Sequence, residues 1–206
     1  MSLSDRNKNF LDHLTEDSTK DCMPALQFYL MRDVKMPERA WKAAGIDFFV
    51  PKFTEEFLHD LVEKSKAGWD PKIFNNPEIE TPYITLKPGE RICIPSGVKV
   101  KFNVSGTALI AFNKSGIATK KGLVVGACVV DEDYLGEVHI SLINTSNDEV
   151  YISENDKVVQ FILLPLVKPC TFTRITQEDY ENYARLSGSE RGEGWAGSSN
   201  NEKESK

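Results

Sequence analysis

Long apolar runs are missing from this chain of 206 residues. A helix that spans a bilayer needs roughly 20 consecutive apolar residues, and nothing approaches that length, so no membrane partner is expected. Positive charge is also in short supply: 25 Lys and Arg stand against 31 Asp and Glu, for a formal net charge of −6. A surface built to neutralise nucleic-acid phosphates carries the opposite balance, so nucleic acid is not an expected partner either. Cys22, Cys93, Cys128 and Cys170 are widely separated and form no Cys-x-x-Cys pair, which argues against a structural zinc site. Cys93 in "RICIP" and Cys128 in "GACVV" lie inside apolar strand-like runs, where buried, reduced thiols are expected. The histidines are scattered too, and His139 in "EVHISLIN" falls opposite Val138, Ile140 and Leu142, at a solvent-side or interface position. The N-terminus, "MSLSDRNKNFLDHLTED", lacks the apolar core of a secretory signal. A soluble, cytoplasmic protein is expected.

What is present suits one globular domain, with 40% hydrophobic and 27% charged residues. Residues 1–24 form a polar N-terminal extension, 25–186 the folded domain, and 187–206 a glycine-rich C-terminal tail. Within the domain, "LQFYLM", "IDFFVP", "RICIPSGVKVKF", "TALIAF", "GLVVGACVV", "EVHISLIN", "EVYIS" and "KVVQFILLPLV" are strand-like and bounded by turn chemistry. Many short strands without alternating helices predict an all-β sandwich or a Greek-key or jelly-roll barrel. Residues 54–80 interrupt that rhythm as a helical and loop insertion. Phe53, Phe57, Leu58, Leu61 and Val62 share a helical face there, Thr54 is placed as N-cap, and a proline-punctuated loop follows. A second short helix is predicted in "TQEDYENYARLSG", opened by a Thr-x-x-Asp cap and closed at Gly188. The tail composition favours disorder unless something captures it.

Five stretches carry candidate chemistry. In "GACVVDEDYLGEVHISLIN" a strand delivers Asp131 into a turn, where a carboxylate suits a general base. Tyr134, three residues on, offers a flat surface for a sugar or a base. In "FNKSGIATKKGLVV" the residues Lys114, Ser115 and Gly116 either form an ordinary hairpin turn or cradle a phosphate. Gln160 is a lone amide in an apolar strand and must find partners. Asp47 lies in "KAAGIDFFVP", and Arg191 in the tail can fork onto a phosphate.

In this order and combination the five stretches resemble the motifs of the trimeric dUTPase family: "AAGID", "NKSGIATKKGL", "VVDEDYLGEV", "NDKVVQ" and "RGEGWAGSS", spanning roughly Leu26 to Asn200. The resemblance implies a distorted jelly-roll that assembles as a homotrimer, with active sites at subunit boundaries. It also implies hydrolysis of dUTP to dUMP and pyrophosphate with Mg²⁺. By the same resemblance Asp131 would be the base for the attacking water, Asp47 would support the water and metal network, and Gln160 would position phosphate and water. Lys114, Ser115 and Gly116 would hold the phosphates, and Tyr134 would pack on deoxyribose and exclude a 2′-hydroxyl. Arg191, Gly194, Trp195, Gly197 and Ser198 would close over the nucleotide from a neighbouring subunit, with Trp195 as the lid over the base. No residue is implied as a direct metal ligand, since Mg²⁺ keeps part of its water shell and would be held by the triphosphate.

Three features depart from the family pattern. Asn113 and Lys114 replace Pro-Arg, which keeps the charge and loses the planar fork. The hairpin between Gly122 and Asp131 is about two residues shorter than usual and lacks the Asn that reads uracil; Trp195 and Ala196 stand where Gly-Phe is usual. A modified pyrimidine nucleotide is therefore an alternative substrate, and a non-catalytic trimeric nucleotide-binding or regulatory paralogue an alternative role. Deamination of dCTP, the activity of a sister group with the same fold, is disfavoured. Ser141 stands where those enzymes need a glutamate. Such a compact, drifted enzyme would suit a viral or phage genome.

Overall fold

The structure, a computed structural model, describes residues 25–65, 73–75, 81–167 and 172–189. The chain divides into two units between Val167 and Lys168. In the first, the elements run β1 (Leu26–Leu30), β2 (Ile46–Phe48), α1 (Glu55–Ser65), β3 (Ile73–Asn75), β4 (Pro82–Leu86), β5 (Arg91–Phe102) and β6 (Thr107–Asn113). There follow α2 (Ser115–Lys121), β7 (Leu123–Val125), β8 (Val129–Asp131), β9 (Glu137–Asn144), β10 (Val150–Ser153) and β11 (Val159–Pro165). The strands form three antiparallel sheets, ordered β1-β5-β9-β7, β10-β4-β3 and β2-β11-β6-β8. All three contribute to one core, to which Phe48, Ile84, Ile94, Leu109, Ile140, Leu142, Ile152 and Phe161 belong.

The alternation in "EVHISLIN" works as the sequence predicts. Val138, Ile140, Leu142 and Asn144 are buried while Glu137, His139, Ser141 and Ile143 are half-buried on the other face. The one polar member of the buried set is fully engaged. Asn144 donates from Nδ2 to the carbonyls of Leu86 and Asp148, both at 2.8 Å, and its Oδ1 accepts from Ser146 N at 2.9 Å. In β5 the pairing with β9 slips between Pro95 and Lys99, a bulge at which Gly97 takes φ +73°. A Cβ there would stand 2.5 Å from Arg32 Cγ, so glycine serves both the backbone angle and the close approach.

The helix predicted after Thr54 is α1. Thr54 Oγ1 accepts from Phe57 N at 3.2 Å, Glu55 and Glu56 occupy the first turn and Lys64 the last, each charge complementing the helix dipole. Phe57, Leu61 and Ser65 are buried, spaced four apart on one face, and the Phe53 ring stacks on Phe57 at 5.3 Å. Val62 lies off this stripe and is 46% exposed, which narrows the predicted apolar face. Ser65 Oγ accepts from Cys93 N at 3.1 Å, so α1 satisfies a backbone donor of β5 as well as covering it. The loop predicted after α1 instead holds β3, which pairs with β4 through Ile73 and Ile84. Both are short strands whose mixed patterns hid them in the sequence.

In the second unit, α2 and the strands have no part; its helix is α3 (Gln177–Leu186), with the predicted capping box formed between Thr176 and Asp179 and Gly188 at φ +63° after its end. No helix among the described residues is long and apolar enough to cross a membrane.

Truncating Leu61 to Ala should lower the free energy of unfolding by about 2–5 kcal/mol, read from urea denaturation. An unchanged midpoint would place α1 outside the cooperative core.

Candidate functional site

Asp131 ends β8, where it pairs with Ala108 of β6, and its carbonyl accepts from Tyr134 N at 3.1 Å to close the following turn. The Tyr134 ring folds back over Gly136: a Cβ at that glycine would lie 2.4 Å from the Tyr134 hydroxyl oxygen, and that hydroxyl donates to the Glu137 carbonyl at 3.0 Å. Asp131 and Tyr134 border a cavity of about 190 Å³, walled by Ala127, Val129, Val130 and Phe161. Its remaining carboxylates are occupied elsewhere or absent. Glu137 accepts from Gly97 N at 2.6 Å and pairs with Arg32. Glu132, next to Asp131, accepts from Gly106 N at 2.6 Å and holds the β5–β6 turn. Of the acidic tip, Asp131 is the residue that lines this cavity. An apolar pocket with one convergent carboxylate and one aromatic wall fits a small ring-bearing ligand.

A second cluster forms where β2, β11 and the end of β6 meet. Asp47 of β2 pairs in register with Gln160 of β11, and Gln160 Nε2 donates to the Asn113 carbonyl at 2.9 Å. The amide thus finds the backbone partner that a half-buried amide requires. Asp47 Oδ1 accepts from Lys114 Nζ, and its Oδ2 lies 3.8 Å from Lys157 Nζ. Lys157 also pairs with Glu38; Glu38 first, and Asp47 after it, holds its ammonium above the ordinary lysine pKa. Ser115 and Gly116 open α2, with open space where a Cβ of Gly116 would project. The stretch read as a hairpin turn or a phosphate cradle is thus a short helix, stopped by Gly122 at φ +68°. Gly45 of "AAGID" has a steric role: a Cβ there would stand 2.3 Å from Gln160 Oε1 and 2.8 Å from Gln160 Cβ.

The two clusters lie apart within one chain. Asp131 is beside Ala108 and Gln160 beside Phe112, on opposite sides of β6 in the order β11-β6-β8. Four residues of strand rise and two strand spacings put them roughly 16 Å from each other. That backbone separation is well beyond what a direct hydrogen bond between the two side chains could span.

Two expectations need adjustment. The run "GLVVGACVV" is not one strand: it breaks at Gly126, and Cys128 sits exposed between β7 and β8 rather than buried. Ser141 Oγ would be 2.8 Å from a Cβ at Gly126, so the break lets the chain pass close to β9. Cys93 is half-buried in β5, and burial pushes its thiol pKa up, as suits an inert thiol. His139 is half-buried as the alternation predicts, with Nε2 buried and unpartnered among the described residues. Arg191, Gly194, Trp195, Gly197 and Ser198 lie outside the described residues. Sequence reading missed Lys157 and Gly45. The signals were a lysine three positions before Gln160 and a glycine two before Asp47.

This arrangement of antiparallel sheets is the fold of a class of nucleotide hydrolases. A variant dUTPase of Staphylococcus bacteriophage 80alpha, solved with dUpNHpp, superposes with a TM-score of 0.59 at 21% identity, covering 86% of this chain and 99% of that one. The native EIAV dUTPase gives a TM-score of 0.51 at 18% identity over 74% of this chain and 97% of its own. The dUTPase family model matches residues 80–199, and the chain belongs to the dUTPase family. The deoxyuridine 5'-triphosphate nucleotidohydrolase of Buchnera aphidicola is 36% identical over 117 residues, 55% of this chain and 71% of that protein. That of Neisseria meningitidis is 29% identical over 153 residues, 71% and 93% of the two. The family model begins after Asp47, so the first motif rests on its position beside Gln160.

Gly45→Ala should displace the Gln160 amide from the Asn113 carbonyl and destabilise the protein by about 1–3 kcal/mol. A thermal melt and a crystal structure would check both. A Gln160 rotamer identical to that of the wild type would contradict it.

Proposed function

We propose that the protein hydrolyses dUTP to dUMP and pyrophosphate, at sites each assembled from more than one copy of the chain. The observation that carries this is the division of labour between the two clusters. One offers a free carboxylate and an aromatic wall beside an apolar cavity; the other offers Lys114, Ser115, Gly116 and Gln160 around Asp47. Their backbone separation of roughly 16 Å along and across the sheet supports a site shared between chains. A homotrimer that apposes the cavity of one subunit to the lysine cluster of the next removes this difficulty, since head-to-tail contacts close into rings.

In such a site the base and deoxyribose occupy the cavity, with the sugar on Tyr134, where the ring leaves no room for a 2′-hydroxyl. Asp131 takes a proton from the attacking water. The new bond forms at the α-phosphorus as the bond to the bridging oxygen breaks, and pyrophosphate leaves with that electron pair. Lys114, with Ser115 and the Gly116 backbone, stabilises charge on the phosphates, so that positioning and electrostatics supply most of the acceleration. Arg191 and the glycines after it add a closing segment from another copy, with Trp195 over the base.

Mg²⁺ fits these residues as an ion carried by the substrate. Among the described residues the group of His and carboxylate side chains that converges, within 4.8 Å, is His59, Asp60 and Glu63 on α1, at neither cluster. Asp47 is already faced by two ammonium groups, which leaves it an outer-sphere role through water. When bound, the ion neutralises triphosphate charge.

Pyrophosphate release from dUTP in Mg²⁺ should be abolished by Asp131→Asn while binding of a non-hydrolysable analogue persists. A folded wild type that binds dUTP and releases no pyrophosphate would instead make it a binding or regulatory protein. Extending the panel to dCTP, dTTP, UTP and hydroxymethyl-pyrimidine nucleotides decides the base. Co-refolding Asp131→Asn with Lys114→Ala should recover activity that neither variant has alone; no recovery would mean the two clusters do not serve a shared site.

A further inference from the structure

Arg32 follows β1 and is almost wholly buried, with 8% of its side chain exposed. Its Nη2 donates to Asp60 Oδ2 at 2.9 Å and to Glu137 Oε2 at 3.1 Å, while Nε and Nη1 are buried without a partner among the described residues. Two carboxylates on a single nitrogen are therefore what offsets removing this charge from water. Each matters, because losing either leaves a buried guanidinium with one contact. The Arg32 guanidinium beside Asp60 holds that carboxyl below the usual carboxylate range against the opposing effect of burial, with His59 adding to it.

The two carboxylates belong to distant parts of the chain. Asp60 is on α1, which lies outside the family-matched residues 80–199. Glu137 is the first residue of β9, directly after the turn that carries Asp131 and Tyr134. Every polar group of Glu137 just described has a positional task. Oε2 meets Arg32, Oε1 accepts from Gly97 N at the β5 bulge, and the backbone carbonyl accepts from the Tyr134 hydroxyl. The Tyr134 ring is thereby linked to α1 through Glu137 and Arg32 by hydrogen bonds that leave no gap.

We propose that Asp60 and Arg32 are positioning residues for the sugar: α1, through them, sets the height of the Tyr134 ring and so the discrimination between deoxyribose and ribose. The inserted helix is thus part of the specificity apparatus. This rests on the placement of deoxyribose against Tyr134 in the proposed function.

The test is calorimetric binding of α,β-imido-dUTP and α,β-imido-UTP in Mg²⁺ to the full-length protein, which requires no turnover. Asp60 is 29% exposed, so Asp60→Ala is the variant expected to fold, and a thermal melt checks that it does. Its preference for the deoxy analogue should fall about three- to tenfold, the size of coupling typical of a hydrogen-bonded network. Asp60→Asn keeps an acceptor for Nη2 and should retain most of the preference; Arg32→Met should lose at least as much as Asp60→Ala. An unchanged deoxy-to-ribo ratio in folded Asp60→Ala would overturn the inference while leaving the hydrolase intact. A wild type that prefers the deoxy analogue yet releases no pyrophosphate would sink the hydrolase and leave this inference standing. A wild type without that preference would overturn the sugar placement and this inference together.

Discussion

The proposed site turns on the register of β6 with its two neighbours. Because β8 joins one end of β6 and the Gln160 segment of β11 the other, Asp131 and the cluster around Asp47 and Gln160 lie apart within one chain. Hydrogen-bonded strands do not slide, since a one-residue slip would turn every side chain to the opposite face. The register therefore holds the two clusters apart. In the function proposed above, assembly is part of the chemistry rather than an addition to it.

The same rigidity explains how a small carboxylate set serves distinct purposes. Along the acidic tip, Glu132 closes a turn and Glu137 clamps a bulge, both through charge-assisted bonds to backbone N–H groups. Asp47 is neutralised by lysines. Asp131 alone among these is left facing the cavity. The proposed role of Asp131 draws support from what Glu132 and Glu137 are already doing.

The sequence made much of this legible, for physical reasons that differ by element. Alternation in β9 and the capping signals of α1 and α3 are local, and they survived folding. The motifs were legible as chemistry because residue types such as Asp131 and Gln160 stand out against apolar strands. What stayed hidden depends on distant pairs. Nothing near Arg32 in the chain announces that its partners are Asp60 and Glu137, 28 and 105 residues away. Nor could "GLVVGACVV" show that its hairpin breaks at Gly126, where a Cβ would meet Ser141 on another strand. Gly45 likewise looked like one small residue among several until Gln160 was placed against it.

Tyr134 folded over Gly136 carries one more consequence. Its hydroxyl is tied to the Glu137 carbonyl and its ring fills the space a Cβ at Gly136 would take, so the side chain is already oriented in the single chain. Immobilising a free side chain on binding costs about 0.5–1.5 kcal/mol. A ring already oriented meets less of that cost when a ligand packs against it.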